Sequence, residues 1–264
     1  MDSDREALMR EMFAAMANKV NPLTASDGRT YPKAEMQRLL QEWIPTNVIV
    51  KRICALDEGV VVAAPHVSFD NWTEYFANRL AYDLNCGQVL AKNFRDDDGG
   101  AIPASIGRHI HVNRPTESKR KGGVEHETQR AMAAFQKYRS ALHEAGRIMP
   151  LTLLIELHGH RRHTKLEVAT TGISATQAVQ LKQCYTELSE VDLRLPELVI
   201  EPLDELCFTA QGTKANGSLA PKICRAALHI EIPRNCRENE DARSRFRPVL
   251  TEWLKRSIAI LLPS

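Results

Sequence analysis

Short apolar runs alternate along this chain with longer stretches in which apolar residues recur every three or four positions. "NVIVKRICALD", "GVVVAAPHVS" and "LTLLIELHG" are β-branched and aliphatic and read as strands. The second and third are apolar on both faces, as strands inside a parallel sheet are. Asp57-Glu58-Gly59 between the first two suggests a turn joining neighbouring strands. "GQVLAKNF", the alternating "GRHIHVNR", "KLEVAT" and "AALHIEIPR" add four more strands.

Helical spacing predicts helices over residues 1–20, with Leu8, Met12, Phe13, Met16 and Val20 on one side, and over Lys33–Trp43. Further helices are expected over Asp70–Leu84, over Val124–Ala145 with Met132, Phe135, Tyr138 and Leu142 on one face, near Ala175–Leu188, and from Asp241 to about Leu262. "AQGTKANGS" reads as loop, and "FRDDDGGAIPAS" as a mobile surface loop. Strands interleaved with helices argue for one α/β domain spanning 1–264, a three-layer α/β/α sandwich with a central mixed, largely parallel sheet. Residues 1–45 read as an N-terminal helical extension packed on it.

Composition narrows the function classes. The net charge of +2 gives no general reason to expect nucleic acid. The basic clusters "SKRKGG" and "RSRFRP" are balanced by neighbouring acids and carry no interleaved aromatic platform, so nucleic-acid binding is not expected. No apolar run reaches the roughly 20 residues of a membrane span, and the charged start lacks a signal-peptide core, so the reading is soluble, cytoplasmic and not membrane-bound. The six cysteines form no CxxC pair, which fits reduced thiols better than a disulfide framework or a zinc ribbon. Nothing in the pattern sets an oligomeric state.

Chemistry is sought where apolar strands stop, because ligands of open α/β sheets bind beyond the carboxyl ends of strands. Pro65-His66, Glu156-Leu157-His158, Glu231 and Asn113-Arg114 occupy such places. Glu156 and His158 share one face of an extended strand. An open catalytic zinc site needs three protein groups, often two His and a carboxylate. His66, His158 and an acid from the helix after His66 make up such a set. His160 and His163, flanked by Arg161, Arg162 and Lys165, read as a solvated loop, and His109 and His111 as structural.

The ordered motifs "APHVS", "EYFANRLA", "HIHVNRP", "LIELHG", "VATTGIS" and "LHIEIPR" resemble the N-formylglutamate amidohydrolase family, relatives of the zinc carboxypeptidases and of the succinylglutamate desuccinylase and aspartoacylase group. The resemblance runs through roughly residues 60–260. It implies a zinc-carboxypeptidase-like fold and one Zn2+ per chain, held by His66, Glu74 and His158, with Asp70 as a competing acid. It further implies that Asn113 and Arg114 grip the substrate carboxylate, that Arg114 also polarises the scissile carbonyl, and that Glu231 is the general base. Arg234 is a further substrate-binding candidate. The family's "PHSG" reads "PHVS" here, and the lost glycine alters the loop beside the metal. The expected activity is hydrolysis of the amide of a small acidic N-acyl amino acid. The alternatives are a zinc carboxypeptidase acting on peptides and a non-catalytic descendant that binds a carboxylate or a protein partner.

Overall fold

The computed structural model describes residues 3–43, 47–53, 59–94, 110–118 and 124–262. The chain divides into two compact units, one from residues 1–46 and 95–109, the other from residues 47–94 and 110–264. In the first, α1 (Ser3–Ala17) is followed by a two-stranded hairpin, β1 (Leu23–Thr24) and β2 (Thr30–Tyr31), and by α2 (Lys33–Trp43). Its own small core gathers Met12, Ala15, Ala25, Tyr31, Met36 and Leu40. Phe13, expected on the apolar side of α1, is exposed.

The larger unit contains β3 (Val48–Arg52), β4 (Val60–Ala64), α3 (Thr73–Asp83), β5 (Gly87–Lys92), β6 (Thr116–Ser118), β7 (Glu125–Glu127), α4 (Gln129–Gly146), β8 (Leu151–His160), β9 (Leu166–Thr171), α5 (Ala175–Ser189), β10 (Leu198–Ile200), α6 (Gln211–Asn216), β11 (Cys224–Pro233) and α7 (Glu240–Leu261). Seven strands form one sheet in the order β10-β9-β11-β8-β4-β5-β3. The pairs β4/β5, β4/β8, β8/β11 and β9/β10 are parallel; β9/β11 and β3/β5 are antiparallel. Helices cover both faces, giving the three layers expected from the alternation of elements.

Helix ends follow local chemistry. Ser174 and Gln177 form a reciprocal capping box on α5, and the Thr128 and Asn239 side chains accept the amides of Ala131 and Ala242 to start α4 and α7. In the centre, every residue of β4 is buried, as its unbroken apolar run requires. Edge strand β3 carries Lys51 and Arg52 outward, a charge pattern that discourages further pairing.

The two faces of the sheet differ. Val62, Ala64, Leu153, Ile155, Leu157, Leu228, Ile230 and Ile232 pack against α3, α5 and α7 in a mainly apolar layer closed by Phe76, Phe246 and Trp253. The opposite face packs Val61, Ala63, Val89, Leu154 and Ala227 under Phe135, Tyr138 and Leu142 of α4. Parity alone then places Glu156, His158 and His160 of β8, and His229 and Glu231 of β11, on the α4 face as the strands run past that helix.

Several expectations are corrected. β3 and β4 are not sheet neighbours, because β5 lies between them. The alternation in "GRHIHVNR" does not make a strand: Ile110 and His111 are irregular and Val112–Arg114 turn, held by the Ser218 amide on the Asn113 carbonyl. His160 is not in a solvated loop but is the buried last residue of β8. The helix expected from Asp70 begins at Thr73, after a turn, and α6 occupies part of the expected loop "AQGTKANGS". "FRDDDGGAIPAS" beyond Phe94, most of "SKRKGG", and His109 lie outside the described residues. In "RSRFRP", Arg245 pairs with Asp192 and Arg247 with Asp83. Among the described residues no helix is long and apolar enough to cross a membrane.

Candidate metal centre

The site begins where β4 ends. After Ala64 the chain turns sharply, with the amides of Phe69 and Asp70 both donating to the His66 carbonyl at 2.9 and 2.8 Å. That turn sets His66 and Asp70 side by side. The neighbouring parallel strand β8 brings His158 to the same place. His66 Nδ1 and His158 Nδ1 are 3.2 Å apart, and one Asp70 oxygen, Oδ2, lies 3.6 Å from the first and 3.5 Å from the second. Both imidazoles are buried and Asp70 is nearly so. Three ligand-type atoms therefore form one compact triangle.

The far sides of both rings are engaged. His66 Nε2 lies 3.2 Å from His111 Nδ1, so His111, expected to be structural, stands directly behind His66. His158 Nε2 faces Glu156 Oε2 at 3.1 Å. Glu156 has no solvent exposure. Its Oε2 also receives Asn113 Nδ2 and faces His229 Nδ1, each at 3.1 Å, and its Oε1 accepts the hydroxyls of Ser218 at 2.6 Å and Tyr138 at 3.1 Å. A carboxylate can only accept, so His158 carries a proton on Nε2 toward Glu156, and its Nδ1, facing Asp70 and His66, is the nitrogen that would bind a metal on giving up its own proton.

Electrostatics follow from this packing. Burial disfavours the charge of Asp70, but hydrogen bonds to His158 and His66 outweigh it and hold the carboxyl far below its ordinary value. Burial lowers His66. For His158, burial works downward while Asp70 and Glu156 work upward and prevail, taking it to about 10 without an ion. Glu231, the register partner of His158 on β11, is buried; its Oε1 lies 3.4 Å from His229 Nε2. Burial raises its carboxyl, but its hydrogen bond to His229 and the charge of nearby His158 together lower it further than burial raises it.

The remaining expected residues are placed elsewhere. Glu74 pairs with Lys92 on β5 and is not brought to the histidines; Asp70 is, because α3 starts beyond it. Asn113 is drawn inward onto Glu156, leaving its buried Oδ1 without a hydrogen-bond partner. Arg114 pairs with Glu125 of β7. Arg234, largely exposed, pairs with Glu238 in the short turn after β11. The arginine that does enter this region is Arg237, whose guanidinium donates to the carbonyls of Ile232 (3.1 Å), Asn71 (2.6 Å) and His160 (3.0 Å).

Solved structures of similar fold exist at low sequence identity. A gene product of Agrobacterium tumefaciens is 12% identical with a TM-score of 0.50, covering 81% of this chain and 94% of that one. An N-formylglutamate amidohydrolase from Ralstonia eutropha JMP134 is 12% identical with a TM-score of 0.48, covering 80% and 97%. A metallo-carboxypeptidase from Pseudomonas aeruginosa is 13% identical with a TM-score of 0.43, covering 99% and 70%. No family model matches the chain, and no curated protein matches it in sequence. At such identities the likeness is one of fold.

Proposed function

We propose that this chain is a metal-dependent amidohydrolase that cleaves the amide of a small acidic N-acyl amino acid, with a zinc ion held by His66, Asp70 and His158. One observation carries the reading: the triangle of two Nδ1 atoms and Oδ2, with sides of 3.2, 3.5 and 3.6 Å. A tetrahedral zinc with bonds of about 2.0–2.1 Å sets its ligands about 3.3 Å apart. The donor set, two neutral imidazoles and one carboxylate, is that of an open catalytic site, and Glu156 behind His158 supplies the outer carboxylate such histidines require.

When bound there, zinc supplies Lewis acidity toward a carbonyl and makes hydroxide available at neutral pH. The chain's own groups do the rest. Glu231 stays charged near neutrality because its hydrogen bond to His229 holds its carboxyl down. It accepts a proton from the attacking water and passes it to the leaving nitrogen. Arg114 exchanges its exposed partner Glu125 for the substrate carboxylate, which its planar fork fits bidentately. Asn113, anchored on Glu156, steers the loop that presents Arg114. The preference for an acidic substrate comes from the sequence resemblance and from Arg114.

The test combines metal analysis with a panel of N-acyl amino acids and short peptides. Asp70→Ala and His158→Ala are expected to lose the ion of this site, whereas Glu74→Gln keeps it. Glu231→Gln is expected to retain metal and fold while turnover falls about 10²–10⁴-fold, the usual worth of a positioned general base. Full activity after thorough chelation overturns the reading. Turnover confined to peptides with a free C-terminus would reassign the enzyme as a carboxypeptidase.

A further inference from the structure

A second group of ligand-type side chains lies beyond the end of β8, outside the site just described. His163 follows that strand, Glu167 is on β9, and Cys207 lies in the loop after β10. A ring nitrogen of His163, a Glu167 carboxylate oxygen and Cys207 Sγ all lie within 4.8 Å of one another. We infer that His163, Glu167 and Cys207 form a second metal site, selective for a borderline-soft divalent ion of the zinc or cobalt class.

Four observations lead there. First, Glu167 is buried, and its two oxygens are aimed by the backbone amides of Cys207 (3.0 Å) and Phe208 (2.8 Å), which fixes the carboxylate against the loop carrying the thiol. Second, His163 Nε2 is buried and sits 2.8 Å from Glu167 Oε1, yet is not aligned for a hydrogen bond with it. Nδ1 of the same ring accepts the Lys165 amide, so the ring proton is on Nε2, yet poor alignment leaves that buried nitrogen without a hydrogen bond, and a buried nitrogen left in that state calls for a better partner. Third, the adjacent His160 ring, 4.4 Å away between centroids, commits its Nε2–H to the Lys165 carbonyl, so its buried Nδ1 is a bare lone pair with no partner. That buried lone pair beside the cluster adds to the local need for a cation. Fourth, a carboxylate and a thiolate together neutralise a dication, and mixed N, O and S donors suit zinc rather than magnesium or calcium.

Occupancy asks for two small adjustments, both on exposed residues. Cys207 closes the remaining distance by turning its exposed side chain. Binding through Nε2 moves the His163 ring proton to Nδ1, releasing the Lys165 amide that now donates there at 3.2 Å; Lys165 is exposed and its amide passes to water. The metal would then cross-link the β8–β9 connection to the loop after β10.

The experiment uses the full chain, stripped of metal and titrated with Co2+ and, separately, Zn2+. A thiolate ligand gives cobalt an intense near-ultraviolet charge-transfer band, which a site of two histidines and an aspartate cannot produce. The band is expected in the wild type and in His158→Ala, and is expected to vanish in Cys207→Ser with the fold intact by circular dichroism. Zinc bound per chain should fall by one in Cys207→Ser, independently of the ion removed by His158→Ala. Absence of the band in the wild type, or its persistence in Cys207→Ser, overturns the inference. Loss of the band in His158→Ala does so as well, since the two sites would not then be separate. Failure of His158→Ala to lose any ion sinks the proposed catalytic site and leaves this one standing.

Discussion

Glu156 shows how a single residue organises the centre without facing its opening. Burial alone would keep this carboxyl neutral, but His158 and His229 offset that penalty and hold it well below the ordinary carboxylate range. The same charge pushes the Tyr138 hydroxyl, already raised by burial, higher still. Glu156→Gln would put an amide NH2 among five groups that all approach it as donors, and the His158 ring would lose what fixes its orientation. Metal affinity is expected to fall about 10–100-fold, the usual cost of losing a histidine's outer partner, with secondary structure retained; chelator competition measures it. That Glu156 and His158 share a face was legible from their spacing of two. The partners Tyr138, Ser218, His229 and Asn113 were not, since they arrive from four separate parts of the chain and no local pattern connects them. Asp70 and Glu74 both fit a helical reading of their segment, and only the turn that delays α3 to Thr73 separates their positions.

At the level of elements, the site is a meeting of segment ends, and Arg237 ties three of them together. Its donors hold the carbonyls of His160 at the end of β8, Ile232 on β11 just past Glu231, and Asn71 in the turn that carries Asp70. Gly159 makes room for it: a Cβ there would fall 2.5 Å from the guanidinium carbon. Arg237→Ala leaves three carbonyls without their charged donor and should cost at least about 3 kcal/mol of stability. Gly159→Ala should weaken the same junction by displacing the guanidinium. Urea unfolding and zinc affinity should both decline in the two variants, whereas Arg234→Ala, at an exposed pair, should change neither. Long periodic helices and fully apolar strands were legible in the sequence because one face of each must be buried. The three-residue β10 was too short to show a period, and "GRHIHVNR" alternates because Ile110 and Val112 are both buried from an irregular segment that runs into a turn, a pattern that imitates a strand.

Across the whole of the larger unit, stability and chemistry lie on opposite faces of one sheet. The face under α3, α5 and α7 is mostly apolar as far as Leu157 and Ile232, with Gln88 bonded to Asn78 within it and Arg237 closing it beside Gly159, while the α4 face turns ionisable as soon as it passes Tyr138. That division answers why "LTLLIELHGHRRH" runs from core into charge: odd positions continue the core through Leu157, and even positions become the site. It also makes a prediction about coupling. Trp253 is fully buried on the apolar face, edge-on to Tyr185 with ring centroids 5.8 Å apart, and donates Nε1–H to the Leu181 carbonyl at 2.9 Å. Trp253→Ala should cost about 3–5 kcal/mol through the cavity it leaves. Removing zinc should cost only the linkage free energy, about 4 kcal/mol at a free concentration a thousand times the dissociation constant. Because the sheet separates Trp253 from the ligands, the two losses should add to within about 0.5 kcal/mol, and zinc affinity in Trp253→Ala should match wild type. Denaturant unfolding of both proteins with and without chelator decides the matter. A large interaction free energy between the two would mean that the apolar layer helps to shape the ligand triangle, and that the division between the faces fails.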